Sequence, residues 1–162
     1  MDLRKLQDDY IRDQRTVTEE KIQIGALFRS IFSEDDGLVF KDGRTEKPKK
    51  IIVIGIDKDV ALCYGALFVN TRMSPKSAFS DEYLSAQYLI KKSDYPEFLR
   101  YDSYVDCGVI FAIPIKKILA GEYFGCLNET DLAGIFNILE TTETLSTKQK
   151  KRFGIRRRGS GY

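Results

Sequence analysis

Hydrophobic and polar residues alternate along this chain in short blocks, and the densest block lies near its middle. From Pro48 to Thr71 (PKKIIVIGIDKDVALCYGALFVNT) two apolar runs flank the polar Asp57-Lys58-Asp59. The first run, Ile51 to Ile56, is β-branched almost throughout, and the second spans Val60 to Val69. Together they predict two antiparallel core strands joined by a tight turn. Asn70-Thr71-Arg72 falls where the second strand gives way to loop, a place where a rigid scaffold presents polar groups.

The other blocks arrange themselves around that hairpin. Residues 2–15 place Leu3, Leu6 and Tyr10 at i, i+3 and i+7 with charges elsewhere, which predicts an amphipathic helix packed on the body. Thr16 and Glu19 have capping-box spacing for a further turn. A strand is expected over 25–32 (GALFRSIF), turn chemistry at SEDDG, a short strand over 37–40, and a basic loop, KDGRTEKPKK, in which Pro48 holds Lys47 extended. After a long polar stretch come a short helix over 81–86 and strands over 87–91, 104–105, 108–113 and 123–127. Pro114 ends the third of these because it lacks a ladder donor. Residues 115–119 read as a single turn. Asn128 as cap, with Leu132, Ile135, Phe136 and Leu139 on one face, predicts a helix to about Thr142, and Ser146 opens another short turn. Six or seven short strands with a closing helix predict an α+β fold: a small, strongly curved antiparallel sheet or partial barrel with an added N-terminal helix.

Composition narrows the chemistry. A chain of 162 residues that is 43% hydrophobic and 31% charged reads as one soluble domain, with a body over 1–147 and a basic tail over 148–162. The tail carries seven Lys/Arg and no acid, leaving 19 basic against 24 acidic residues in the body, a net charge of −5. Such a tail attracts phosphate backbones. The longest apolar runs, IIVIGI and GVIFAIPI, fall far short of the roughly 20 residues a membrane helix needs. The opening MDLRKLQDDY carries acid where a signal peptide would be apolar, so a cytoplasmic location without membrane contact is expected. There is no histidine, and Cys63, Cys107 and Cys126 stand apart. Zinc sites, histidine-based triads and glycine-loop nucleotide cofactors are thereby disfavoured; no metal and no cofactor is expected. Any acid or base must be Asp, Glu, Lys, Tyr or a water they orient.

Three polar groups converge if the sheet curls: the basic loop before Pro48 with Arg44 and Lys47, the strand end Asn70-Thr71-Arg72 with Ser74 and Lys76 beyond it, and Asp102-Ser103. That mixture suits RNA, because cations neutralise phosphate and a developing oxyanion, hydroxyls position it, and tyrosines stack on bases. Lys47 or Arg44 would stabilise phosphate, Thr71 position it, and Arg72 or Lys76 assist. Asp102 is the candidate proton acceptor. Glu34-Asp35-Asp36 reads as a solvated turn.

The order of these parts resembles the MazF/PemK family of small toxin endoribonucleases. The resemblance covers about residues 24–140: IGALFRSIF, the Lys47-Pro48 step, KIIVIG, FVNT, Ser103 to Cys107, Gly125-Cys126-Leu127, and a helix opening in Glu-x-x-Asp-Leu. In that family a basic residue before the proline and a threonine at the strand end lie at the active site, and these match Lys47 and Thr71. The family pattern has arginine where this chain has Lys47, with Arg44 nearby. The N-terminal helix, the 72–86 stretch and the basic tail are further departures. The resemblance implies a curved SH3-like barrel, a homodimer with RNA bound across it, metal-independent endoribonuclease activity of the toxin type, and a protein antitoxin as partner. The alternative is a non-catalytic small-barrel module that binds a protein partner or nucleic acid.

Overall fold

The computed structural model of the chain describes residues 2–36, 38, 43–60, 62–72 and 81–155. Among these, seven strands form one antiparallel sheet: β1 (Ala26–Ser33), β2 (Glu46–Ile56), β3 (Cys63–Asn70), β4 (Gln87–Ile90), β5 (Ser103–Asp106), β6 (Phe111–Pro114) and β7 (Glu122–Cys126). Six follow the order β4-β5-β3-β2-β1-β7. The sixth in sequence, β6, pairs with the first half of β3 and leaves its second half to β5. The sheet curls strongly into a half-barrel, the α+β architecture that the strand pattern predicts.

The central hairpin stands where the apolar pattern put it. Ile52 and Ile54 pack with Leu67, Leu99, Ile135 and Leu139 in one core, whereas Ile51 and Val53 pack with Phe28, Phe68, Ile113 and Ile118 in another. Burial on both faces explains a continuous apolar run where a half-solvated strand would alternate. The first core is closed by α4 (Glu129–Thr141), whose Asn128 cap accepts the Asp131 N–H at 2.8 Å and whose Ile135 and Leu139 are fully buried.

Lys47 to Lys50 belong to β2 and not to a loop, because β1 runs on to Ser33 and pairs with β2 down to Glu46. Register thus carries the basic residues onto the sheet. The strand expected over 37–40 lies outside the described residues, except for Leu38, which packs against the second core.

Helix α1 (Leu3–Arg15) forms as the periodicity predicts, but none of its residues is buried; Leu3 is 76% and Tyr10 65% exposed. Only its C-terminal end meets the sheet, where Thr16 bridges to Glu122. Helices α2 (Asp81–Ser85) and α3 (Ile115–Leu119) are single short turns.

At the other end of the chain, the body continues past residue 147. Ser146 and Gln149 form a capping box for α5 (Thr147–Arg152), and Phe153 and Ile155 behind it are buried in the first core. Gly55 and Gly65, paired across β2 and β3, make the notch that admits Phe153. A Cβ at Gly55 would stand 2.2 Å from the Phe153 carbonyl oxygen, and one at Gly65 2.6 Å from its ring. Arg152 donates to Asp57 Oδ2 from Nε at 2.9 Å and Nη2 at 2.6 Å, tying the start of the β2–β3 turn to the C-terminal segment. No helix among the described residues is long and apolar enough to cross a membrane.

Candidate functional site

A cleft of about 700 Å³ opens at the Glu46 end of β2. Arg29 of β1, Lys47 to Lys50 of β2, and Asn70, Thr71 and Arg72 at the end of β3 form one side. The segment from Pro96 to Arg100, with Phe124 of β7, forms the other. That segment is held by successive turns from Lys91 to Leu99 and by Phe98 and Leu99, which are buried in the first core.

The cleft's electrostatics follow from strand register. Arg29 pairs directly with Lys50, and like charges opposite each other on a sheet repel. The Lys50 ammonium is pushed below its usual range by burial, then by Arg29 and Arg100. Lys49 is pushed the same way, by burial and then by Lys47. At the rim Arg15 reaches Glu97 at 3.1 Å and Glu122 at 3.7 Å, and Arg29 lies 3.5 Å from Glu122. Among the described residues no carboxylate pairs with Lys47, Lys49, Lys50, Arg72 or Arg100. Seven cations therefore face one acid, Glu97, around the cleft. Aromatic rings back several of them: Lys50 Nζ lies 5.9 Å from the Phe98 centroid, Arg15 Cζ 4.6 Å from that of Phe124, and Lys49 Nζ 5.7 Å from that of Phe68.

Of the residues singled out from sequence, Lys47, Asn70, Thr71, Arg72 and Ser103 line this cleft together. Thr71 and Arg72 are exposed, whereas Ser103 is buried and donates its hydroxyl to the Tyr101 carbonyl at 2.8 Å. Arg44 is exposed and does not line the cleft. Neither does Asp102, whose carboxylate accepts the Lys92 N–H at 2.9 Å and so pins a turn. Lys76 and Ser74 lie outside the described residues.

Sequence reasoning passed over Arg29, Lys49, Lys50 and Arg100. Arg29 did leave a signal, being the one charge inside the apolar run GALFRSIF. The Arg29–Lys50 pairing left none, because register is a property of the folded sheet. Among the described residues no group of three or more His, Cys, Asp or Glu is placed to hold a metal ion. No protein-family model matches the chain, and no curated protein sequence is significantly similar to it.

Proposed function

We propose that the protein binds single-stranded RNA in this cleft and cleaves it as a metal-independent endoribonuclease, the activity that its resemblance to MazF/PemK-like toxins implies. The observation that carries the reading is the Arg29–Lys50–Arg100 cluster, in which sheet register sets Arg29 against Lys50 and the Pro96–Arg100 segment adds Arg100, with no carboxylate partner for Lys50 or Arg100 among the described residues. Each phosphate placed there turns a repulsion into two attractions, which is how a polyanion gains affinity. The Thr71 hydroxyl and Asn70 amide on the same wall can hydrogen-bond phosphate and the 2′-hydroxyl that distinguishes RNA.

The nucleophile for cleavage lies in the strand itself. The 2′-hydroxyl gives its proton to a base, its oxygen attacks the adjacent phosphorus, the P–O5′ bond breaks, and the 5′-oxygen takes up a proton, leaving a 2′,3′-cyclic phosphate. The cations stabilise the charge that builds on the phosphoryl oxygens. Lys50 stays charged as a phosphate contact and Asp102 stands outside the cleft, so the 2′-hydroxyl proton passes to a solvent water there.

The test is incubation of the protein with mixed-sequence single-stranded RNA in EDTA, beside Thr71→Ala and Lys50→Met. Fragments ending in cyclic phosphate, lost in both variants, are the expected result. RNA bound but left whole reduces the protein to a binding module, and the absence of any binding overturns the reading.

A further inference from the structure

On the face of β2 opposite Lys50 lies a second cavity, of about 220 Å³, below the roughly 300–1,000 Å³ of drug-sized pockets. Its apolar wall is Phe32, Phe68 and Phe111. The Phe68 and Phe111 rings stack at 4.2 Å between centroids, and Phe32 meets Phe68 edge-on at 5.5 Å. Its polar wall is Asp35, Asp36 and Lys117. Asp36 is held firmly: Oδ2 accepts the Ser33 N–H at 2.7 Å and pairs with Lys117 Nζ at 3.0 Å. Oδ1 of Asp36 has no hydrogen-bond partner among the described residues, and Asp35 makes no hydrogen bond there at all. The cavity adjoins the cleft through two lysines. Lys47 is the cross-strand neighbour of Phe32, and Lys49, which lines the cleft, carries its ammonium 5.7 Å from the Phe68 centroid.

We propose that this cavity takes a guanine base of the strand whose phosphates occupy the cleft, an inference that rests on the RNA reading above. A flat apolar slot beside a row of cations is the form a base-plus-phosphate site takes, with the ring against the phenylalanines and the phosphate on Lys47 and Lys49. The polar wall selects among bases. Guanine's Watson–Crick edge presents an acceptor (O6) and then two donors (N1–H and N2–H). Lys117 supplies a donor, and the free Asp36 Oδ1 and the Asp35 carboxylate supply two acceptors. Uracil would set its O2 carbonyl against the Asp35 carboxylate. Adenine and cytosine each offer one donor group where guanine offers two, so an acceptor would go unpaired.

Two measurements test this. Guanosine, adenosine and uridine 5′-monophosphates are titrated while the phenylalanine ring resonances are followed by NMR. In parallel, anisotropy compares an all-uridine oligonucleotide with the same strand carrying one central guanosine. Guanosine monophosphate is expected to shift the Phe32, Phe68 and Phe111 rings, and the single guanosine to tighten binding by about tenfold, the scale of one good base contact. Asp35→Ala, which breaks no hydrogen bond among the described residues, should abolish that gain and bind the all-uridine strand at least as tightly as before. Equal ring shifts with all three nucleotides, or a guanosine preference that survives Asp35→Ala, overturns the proposal. Should the all-uridine strand bind without any gain from guanosine, the base site fails while RNA binding stands. If no strand binds yet guanosine monophosphate alone shifts the rings, the base site stands and the RNA reading falls.

Discussion

The two ends of β2 treat charge in opposite ways. At the Ile56 end, Asp57 is 1% exposed and is answered by two hydrogen bonds from Arg152, which hold its carboxyl below the usual range. At the Glu46 end, Lys47, Lys49 and Lys50 stand with Arg29 and Arg100, and Lys49 and Lys50 are pushed down by burial and then by neighbouring cations. Folding demands the first arrangement, since an unanswered charge in a core is costly. It gains nothing from the second. One end of the strand is neutralised within the fold, and the other keeps its charge at an open cleft.

The sharpest way to break this comparison is to empty the well-answered end. Phe153 fills the Gly55–Gly65 notch and is 3% exposed, so Phe153→Ala should cost about 3–5 kcal/mol of stability, read as a lower midpoint in urea. RNA affinity of the molecules that remain folded should be unchanged. If that variant instead weakens binding as much as a change at Lys50, the two ends act as one unit and the contrast between them disappears.

The stability side of this contrast was only half legible in the sequence. The β-branched run Ile51 to Ile56 and the Leu132–Leu139 stripe announced the sheet core and its helix, because both signals are local periodicities. The docking of Phe153 left no such trace: its partner glycines lie about ninety residues upstream, and a Phe inside a basic stretch reads as tail. On the functional side, Lys47, Thr71 and Ser103 were recognisable as polar residues at strand ends and do meet in one cleft. Arg29 and Lys50 were hidden because each sits within a strand, and only register makes them neighbours. Asp102 does not line the cleft, for a related reason. A carboxylate beside a site residue in sequence can be turned away to cap the Lys92 amide.

A substitution at the unanswered end should give the inverse of Phe153→Ala. Lys50→Met keeps the stem and removes the charge. RNA affinity should fall about tenfold and the slope of log affinity against log salt by about 0.7, the loss of one phosphate contact on a single strand. Stability should hold or rise by a few tenths of a kcal/mol, on the order of a relieved cross-strand repulsion at a half-exposed site. A clear loss of stability would mean that Lys50 serves the fold, and the cleft would lose its claim to be built for a ligand.

The smallest effect separates the two ends by pH, with opposite signs. Lys50 gives up its proton below the ordinary value of 10.5, and phosphate binding needs that proton. Affinity should therefore begin to fall on the alkaline side before exposed lysines titrate, by a few-fold, and Lys50→Met should flatten this early fall. Asp57 works in acid. Its folded pKa lies below the ordinary 3.8, so the stability it contributes is fully present above that value and is lost as pH falls through the folded one. Thermal melts should show that acid loss in the native protein and not in Arg152→Met, while RNA affinity follows the alkaline limb alone. An affinity that tracked the acid limb would place Asp57 in communication with the cleft, because the other limb is set by lysines at the far end of the same strand.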